Sequence, residues 1–181
     1  MIFTAAPLDG CYIIEPEPFQ DERGWFARYY CKDEFQKIGH NKEWVQLNHS
    51  TTYKKASIRG MHFQKKPFRE IKMVKCIAGK VYDVIIDLRK DSETFLSWFG
   101  VELSAENKKM IYIPEGFAHG FQCLSDQCEL IYHHSEYYTP GAEAGIRYDD
   151  PLIGITWPLP VTVLSPRDET HSYLDESFKG I

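Results

Sequence analysis

The sequence predicts an all-β fold, an antiparallel sandwich or barrel of the jelly-roll kind with short flanking helices. Three observations carry that expectation. Short runs rich in β-branched and aromatic residues follow one another at even spacing. Turn formers such as Gly, Pro, Asn and Asp stand between them. Only two stretches, "CKDEFQKIG" from Cys31 and "SPRDETHSYLDESF" from Ser165, have a helical look.

Taken in order, "CYIIEPEPF" begins as a strand and is broken by its prolines. "DERGWFARYY" (Asp21 to Tyr30) reads as an amphipathic edge strand. Trp25, Ala27 and Tyr29 would point one way, and Phe26, Arg28 and Tyr30 the other. The first helix should end at Gly39, because glycine accepts the left-handed conformation that closes a helix. "WVQLNHSTT" and "ASIRGMHFQ" alternate as strands do. "IKMVKCI" and "KVYDVIIDL" flank Ala78-Gly79 and predict a hairpin. "WFGVELS", "KMIYIP", "GFAHGFQCL" and "CELIYHHSEYY" continue the strand pattern. A barrel of this size can hold one small ligand in its mouth.

At 181 residues the chain is expected to form one domain, 1–181, with a substantial core. A formal net charge of −5 argues against sequence-independent nucleic-acid binding. No apolar run approaches the ~18 to 20 residues that cross a bilayer. "MIFTAAPLDG" lacks a basic region followed by an apolar one, so a cytoplasmic protein without a signal peptide is expected. The five cysteines are odd in number and make no CxxC pair, which suits reduced, buried, small apolar residues. A catalytic thiol is the competing reading.

Several constellations could carry chemistry. In "RGMHFQ", His62 and Gln64 share a strand face, and Gly60 permits a bulge that would bring Arg59 round to them. Alone, His62 suits a hydrogen-bonded structural role as well as a catalytic one. Lys72 lies in a run that otherwise looks buried, so it either snorkels to the barrel mouth or is a buried cation with a function. Glu70, two residues earlier, shares its face and can pair with it. Pro114-x-Gly116-x-x-His119 has the spacing of the second half-motif of cupin barrels. In metal-binding cupins such a histidine is a ligand, which makes His62, Glu70 and His119 a candidate set, although Gln64 stands where another histidine would. Tyr132 and Tyr138 are six residues apart, which puts both on one face of a continuous strand. Asp168 can cap the terminal helix.

The segments "DERGWF", "QLNHS", "RGMHFQ", "KMVKCIAGKVYDVIIDLR", "IPEGFAHGF", "YHHSEYY", "DDPLIGITWP" and "SPRD" occur together in this order. From about Leu8 to Asp168 the chain thereby resembles the dTDP-4-dehydrorhamnose 3,5-epimerase family of RmlC-like cupins. The resemblance implies a cupin jelly roll that dimerises by exchanging an N-terminal strand and needs no metal or cofactor. It implies epimerisation of a nucleotide-linked 4-keto-6-deoxyhexose, whose carbons 3 and 5 flank a ketone and so lose protons to give an enolate. His62 would be the base and Asp168 its support. Lys72 would stabilise the enolate, and Tyr132 would return the proton from the other face. Arg23, Arg59, Gln46 and Asn48 would grip diphosphate and sugar, with Tyr138 nearby and His119 beside His62. Phe26 and Arg23 would reach a partner's site and cradle the nucleotide.

Two positions depart from the family pattern. Arg28 replaces an acid that approaches the pyrimidine, where a carboxylate matches the N–H of thymine ring nitrogen 3. A guanidinium matches cytosine instead, so a CDP-linked substrate is expected in preference to a dTDP-linked one. Otherwise Arg28 points to solvent and the base is read elsewhere. Glu70 replaces a glutamine, which favours inversion at carbon 3 over carbon 5 or both. Such enzymes typically serve surface-polysaccharide or glycosylated-metabolite pathways. The alternatives are a metal-dependent cupin, oxygenase or isomerase, and a sugar-nucleotide-binding cupin without turnover.

Overall fold

The computed structural model describes residues 1–181. In chain order the strands are β1 (Ile2–Ala5), β2 (Tyr12–Glu15), β3 (Phe19–Asp21) and β4 (Gly24–Phe26). Helix α1 (Lys32–Phe35) follows, continued by a 3-10 turn (Gln36–Ile38). Then come β5 (Gln46–Thr52), β6 (Ile58–Gln64), β7 (Lys72–Ala78), β8 (Lys80–Asp87), β9 (Trp98–Ser104) and β10 (Met110–Ile113). The last elements are β11 (Phe117–Cys123), β12 (Cys128–His134), β13 (Glu143–Gly145) and helix α2 (Pro166–Glu169).

Two antiparallel sheets face each other, in the orders β1-β2-β10-β7-β12-β5 and β13-β6-β11-β8-β9. Between them lies the main core, with Val74, Cys76, Ile111 and Leu130 from one sheet and Val81, Ile85, Leu103 and Phe121 from the other. The outer faces are covered too. Phe35 of α1 packs against Ile14, Met73, Met110 and Tyr112. On the opposite flank, Met61, Val84, Ile86 and Ala118 are covered by Ile146, Ile153, Trp157 and the C-terminal Leu174, Phe178 and Ile181. Burial on both faces is why β7 and β8 read as continuous apolar runs. The result is a cupin-type jelly roll.

Three expectations about local structure are corrected. Ala78-Gly79 is not a hairpin turn, because β7 and β8 belong to different sheets. Each already has a neighbour on both edges, β10 and β12 for β7, β11 and β9 for β8. Gly79 (φ +68) turns a corner between the sheets, so close to Gln127 that a Cβ would lie 2.2 Å from its carbonyl oxygen. The edge strand "DERGWFARYY" shrinks to β4, which pairs only with β3 in a separate two-stranded ribbon. Its alternation ends at Phe26 because Tyr29 is drawn under the Lys75 ammonium and Tyr30 packs on Phe35. The helical tail is limited to four residues. Beyond it, barrel groups take the backbone amides: Asp150 accepts from Leu174 N–H, and the Leu88 carbonyl from Ile181 N–H. Gly39, by contrast, closes the first helical segment in the left-handed conformation (φ 80), as expected.

All five cysteines are free; Cys11, Cys76, Cys123 and Cys128 are buried. Burial pushes the Cys76 thiol up to about 11, which disfavours thiolate chemistry. No helix is long and apolar enough to cross a membrane.

One close approach positions the interior. A Cβ on Gly60 (φ +127) would stand 2.5 Å from the Gly120 Cα, so β6 and β11 touch where neither has a side chain. Between His119 and Phe121 the pairing slips, which leaves His119 opposite His62 and Phe121 opposite Arg59. The irregularity at Gly60 thus brings Arg59 and His62 to one cavity despite their odd spacing. Gly60→Ala is expected to cost about 2–4 kcal/mol through collision and positive φ, read as a lowered urea midpoint. A change below about 0.5 kcal/mol would contradict this packing.

Candidate active site

A cavity of about 1030 Å³ opens between the sheets. β5 contributes Asn48, Ser50 and Thr52; β6 Arg59 and His62; β7 Lys72. β11 adds His119, β12 adds Tyr132 and His134, and α2 brings Asp168 from outside the barrel. A side hollow of about 140 Å³ shares His62, Lys72, Asn48 and His134, and adds Gln46, Glu70 and Tyr138.

Three carboxylate–imidazole pairs organise these walls. His62 Nε2 lies 2.6 Å from Asp168 Oδ1, His119 Nε2 2.9 Å from Asp83 Oδ2, and His134 Nδ1 2.6 Å from Glu70 Oε2. An ionised carboxylate only accepts, so the ring nitrogens that face Asp168 and Glu70 carry the proton and donate, whereas burial raises the Asp83 carboxyl beside His119 above its usual range. Asp168 is held below the usual carboxylate range. Burial raises it, but the His62 bond and charge, the Gly60 N–H and the Ser165 contact together outweigh burial. His62 Nε2–H therefore points at Asp168, which leaves Nδ1 with a free lone pair.

Asp168 does not cap α2. Ser165 does, accepting from the Asp168 backbone N–H at 3.1 Å, and this releases the Asp168 carboxylate to turn inward. Its second oxygen accepts from Gly60 N–H at 3.3 Å.

Lys72 is almost wholly enclosed, its Nζ 3.0 Å from Glu70 Oε1. Glu70 is also held below its usual range, with burial opposed by His134 and Lys72. From Glu70 a hydrogen-bonded line continues through the side hollow. Tyr138 N–H donates to Gln46 Oε1 (3.0 Å), Gln46 Nε2 to Asn48 Oδ1 (3.1 Å), and Asn48 Nδ2 to His134 Nε2 (3.3 Å). His134 then donates to Glu70. Every donor in the line is fixed by the one before it.

Tyr132 shares a 2.9 Å hydrogen bond with Ser50, and burial pushes its phenol well above the usual range, so it stays protonated. Arg59 donates through Nε to Thr52 Oγ1 and through an Nη to the Thr51 carbonyl, which aims it along the cavity wall. Gln64 is engaged with the Phe68 and Tyr137 carbonyls and with Thr139 N–H, so it braces loops.

Other expectations fail here. The set His62, Glu70 and His119 does not converge, because Glu70 is taken by Lys72 and His134, and His119 by Asp83. Tyr138 does not share a strand face with Tyr132, since β12 ends at His134. The expectation for Arg23 and Phe26 concerns a partner's site, and in this chain they and Arg28 lie away from the cavity. Arg23 pairs with Asp21 and is 89% exposed, and Phe26 is 77% exposed on the ribbon. Arg28 pairs with Glu34 at 3.0 Å on the surface, its side chain 63% exposed.

The structure adds Asp83, His134 and Ser50. His134 was findable, since it has the strand parity of Tyr132 and therefore its face. Asp83, a lone acid between Tyr82 and Val84, has the parity of the core residues Val81 and Ile85. Ser50 carried no signal of its own.

The profile of the family described as dTDP-4-dehydrorhamnose 3,5-epimerase matches residues 5–176. The chain is 44% identical over 179 residues to dTDP-4-dehydrorhamnose 3,5-epimerase of Salmonella typhimurium, covering 98% of this chain and 97% of that one. It is 37% identical over 171 residues to dTDP-4-dehydrorhamnose 3-epimerase of Streptomyces niveus (94% and 82% covered). Its fold is similar to a crystal structure of dTDP-6-deoxy-D-glucose-3,5-epimerase RmlC from Legionella pneumophila in complex with dTDP-4-keto-L-rhamnose. That likeness has a TM-score of 0.90 at 38% identity, with 95% and 92% covered. All three are dTDP-sugar enzymes by name, which favours dTDP over the CDP-linked substrate expected from Arg28.

Asp168 and Glu70, held below their usual values, favour the native state fully above about pH 4, the unfolded carboxylate range. That contribution is lost as pH falls through the lower native values. Urea midpoints should therefore drop less between pH 6 and pH 3 in Asp168→Asn than in the unaltered protein. An equal drop would contradict the pairing.

Proposed function

This chain belongs to the dTDP-4-dehydrorhamnose 3,5-epimerase family, and we propose that it epimerises a dTDP-linked 4-keto-6-deoxyhexose at carbons 3 and 5 in deoxysugar biosynthesis. The observation that carries the reading is a base and an acid on opposite walls of one cavity. His62 stands on the five-stranded sheet and Tyr132 on the six-stranded sheet.

The substrate sits between those walls with its carbon-4 oxygen toward Lys72. His62 Nδ1 takes the proton from the carbon beside the ketone, and the electron pair moves onto the carbonyl oxygen as an enolate. Asp168 holds the imidazolium that forms, and the Lys72 ammonium faces the enolate oxygen. The protonated Tyr132 then donates to the same carbon from the opposite face, and configuration inverts. A tyrosine serves this step because burial keeps its proton in place until the neighbouring carbanion claims it. Solvent restores Tyr132 and removes the proton from His62, so the cycle closes without a cofactor. Repetition at the second carbon completes a 3,5-epimerisation. The name of the 44% identical relative favours this outcome over the single inversion at carbon 3 that Glu70 suggested and that the 37% identical relative is named for. In this site Glu70 is spent on orienting Lys72 and His134. Arg59, Asn48, Gln46 and Tyr138 line the path on which sugar and diphosphate would lie, and His119 backs the base.

The working unit is proposed as a homodimer that exchanges the β3–β4 ribbon. The ribbon is unpaired with either sheet and displays Phe19, Trp25 and Phe26. β5, which lines the cavity, has an open edge. A ribbon laid along that edge would bring Arg23 and Phe26 to a neighbour's nucleotide.

Proton NMR in deuterium oxide with dTDP-4-keto-6-deoxyglucose tests the reaction. The signals at carbons 3 and 5 should both wash out, and His62→Ala should abolish the exchange at both. Absence of exchange at either carbon in the unaltered enzyme would reject the reading. Lys72→Ala should lower kcat by ~10²–10³, the cost of one oxyanion donor, with a smaller change in KM. Equal or faster turnover of the CDP-linked sugar would restore the cytosine preference.

A further inference from the structure

His171, just past α2, is used by none of these steps, yet it points into the corner where the base is held. Its Nε2 is buried without a hydrogen-bond partner and lies 3.8 Å from Asp168 Oδ1. Its ring stands edge-on to His62 with centroids 6.0 Å apart. Gly145 of β13 makes room for it, since a Cβ there would come 2.2 Å from Nε2. A buried ring nitrogen without a partner, beside a carboxylate and a second imidazole, calls for one.

We propose that His62 Nε2, Asp168 Oδ1 and His171 Nε2 form a three-donor site for a divalent transition cation such as zinc, and that its occupancy switches the epimerase off. The three donor atoms lie within 4.8 Å of one another. A tetrahedral ion with bonds of about 2.0–2.1 Å separates its ligands by about 3.4 Å. The present 2.6 Å between His62 and Asp168 and 3.8 Å between His171 and Asp168 bracket that value. Two imidazoles and one carboxylate suit zinc or cobalt and not magnesium or calcium, which take oxygen ligands. Arg167, whose charge reaches His171, is itself paired with Glu143 at 3.2 Å.

The consequence for His62 follows from counting its protons. A neutral imidazole carries one, held on Nε2 by Asp168. A cation on Nε2 displaces that proton to Nδ1, and Asp168 Oδ1 exchanges a hydrogen bond for a metal bond. Nδ1 then has no lone pair to take a proton from the sugar, and no net proton is gained or lost. The inhibition rests on the role proposed for His62; the binding does not.

Metal-stripped enzyme titrated with cobalt(II) should develop visible d–d absorption of a low-coordinate site, displaced by zinc and not by magnesium. Zinc should inhibit turnover reversibly, with chelator restoring it. In His171→Asn and His171→Gln, each compared with its own metal-free rate, zinc affinity should fall by at least ~10-fold, the lower bound for losing even an outer-shell partner. Absence of the cobalt spectrum, or equal zinc affinity in both variants, would overturn the site. Cobalt binding lost in the variants but without inhibition in the unaltered enzyme would keep the site and overturn the role given to His62.

Discussion

The interior of this barrel depends on matching every buried charge to a partner before the sheets close. Asp168, Asp83 and Glu70 enter a space walled by apolar strands, where an unpaired carboxylate would be costly. Each meets an imidazole, and Glu70 also meets Lys72. Removing one member of such a pair typically costs about 3–5 kcal/mol because the other is left stranded. The pairs are therefore structural necessities, and they set the chemistry as well. They choose which histidine nitrogen carries the proton and where the lysine ammonium stands.

Those pairs form because chain elements far apart in sequence are held in register. Asp168 reaches His62 only because Ser165 caps α2 in its place and because Gly60 offers its backbone N–H. Gly60 can do so because β6 and β11 touch at two glycines. Glu70 precedes β7, and its partners come from β7 itself and from β12, the next strand in the sheet. The site is thus assembled by strand register, with the helix contributing one side chain.

Much of this was legible in the sequence. Even strand spacing gave the architecture, and period-two parity paired His62 with Gln64 and Glu70 with Lys72. The hairpin failed because apolar strands covered on both faces look alike whether they pair with each other or across a barrel. Only the neighbours on each edge decide, and those are non-local. Tyr138 failed because strand parity holds only while the strand lasts. Asp83 and His134 had the correct parity, but an acid among isoleucines draws notice only once its histidine partner is known. Arg28 is paired with Glu34, six residues on, a contact that its place in the strand pattern did not announce.

The central claim is that Asp168 fixes the His62 tautomer and so leaves Nδ1 as the base. Long-range proton–nitrogen correlation NMR on histidine-labelled protein at neutral pH reads this directly. The account predicts a protonated Nε2 and a bare Nδ1 for His62. A proton on Nδ1 with a bare Nε2 would contradict it.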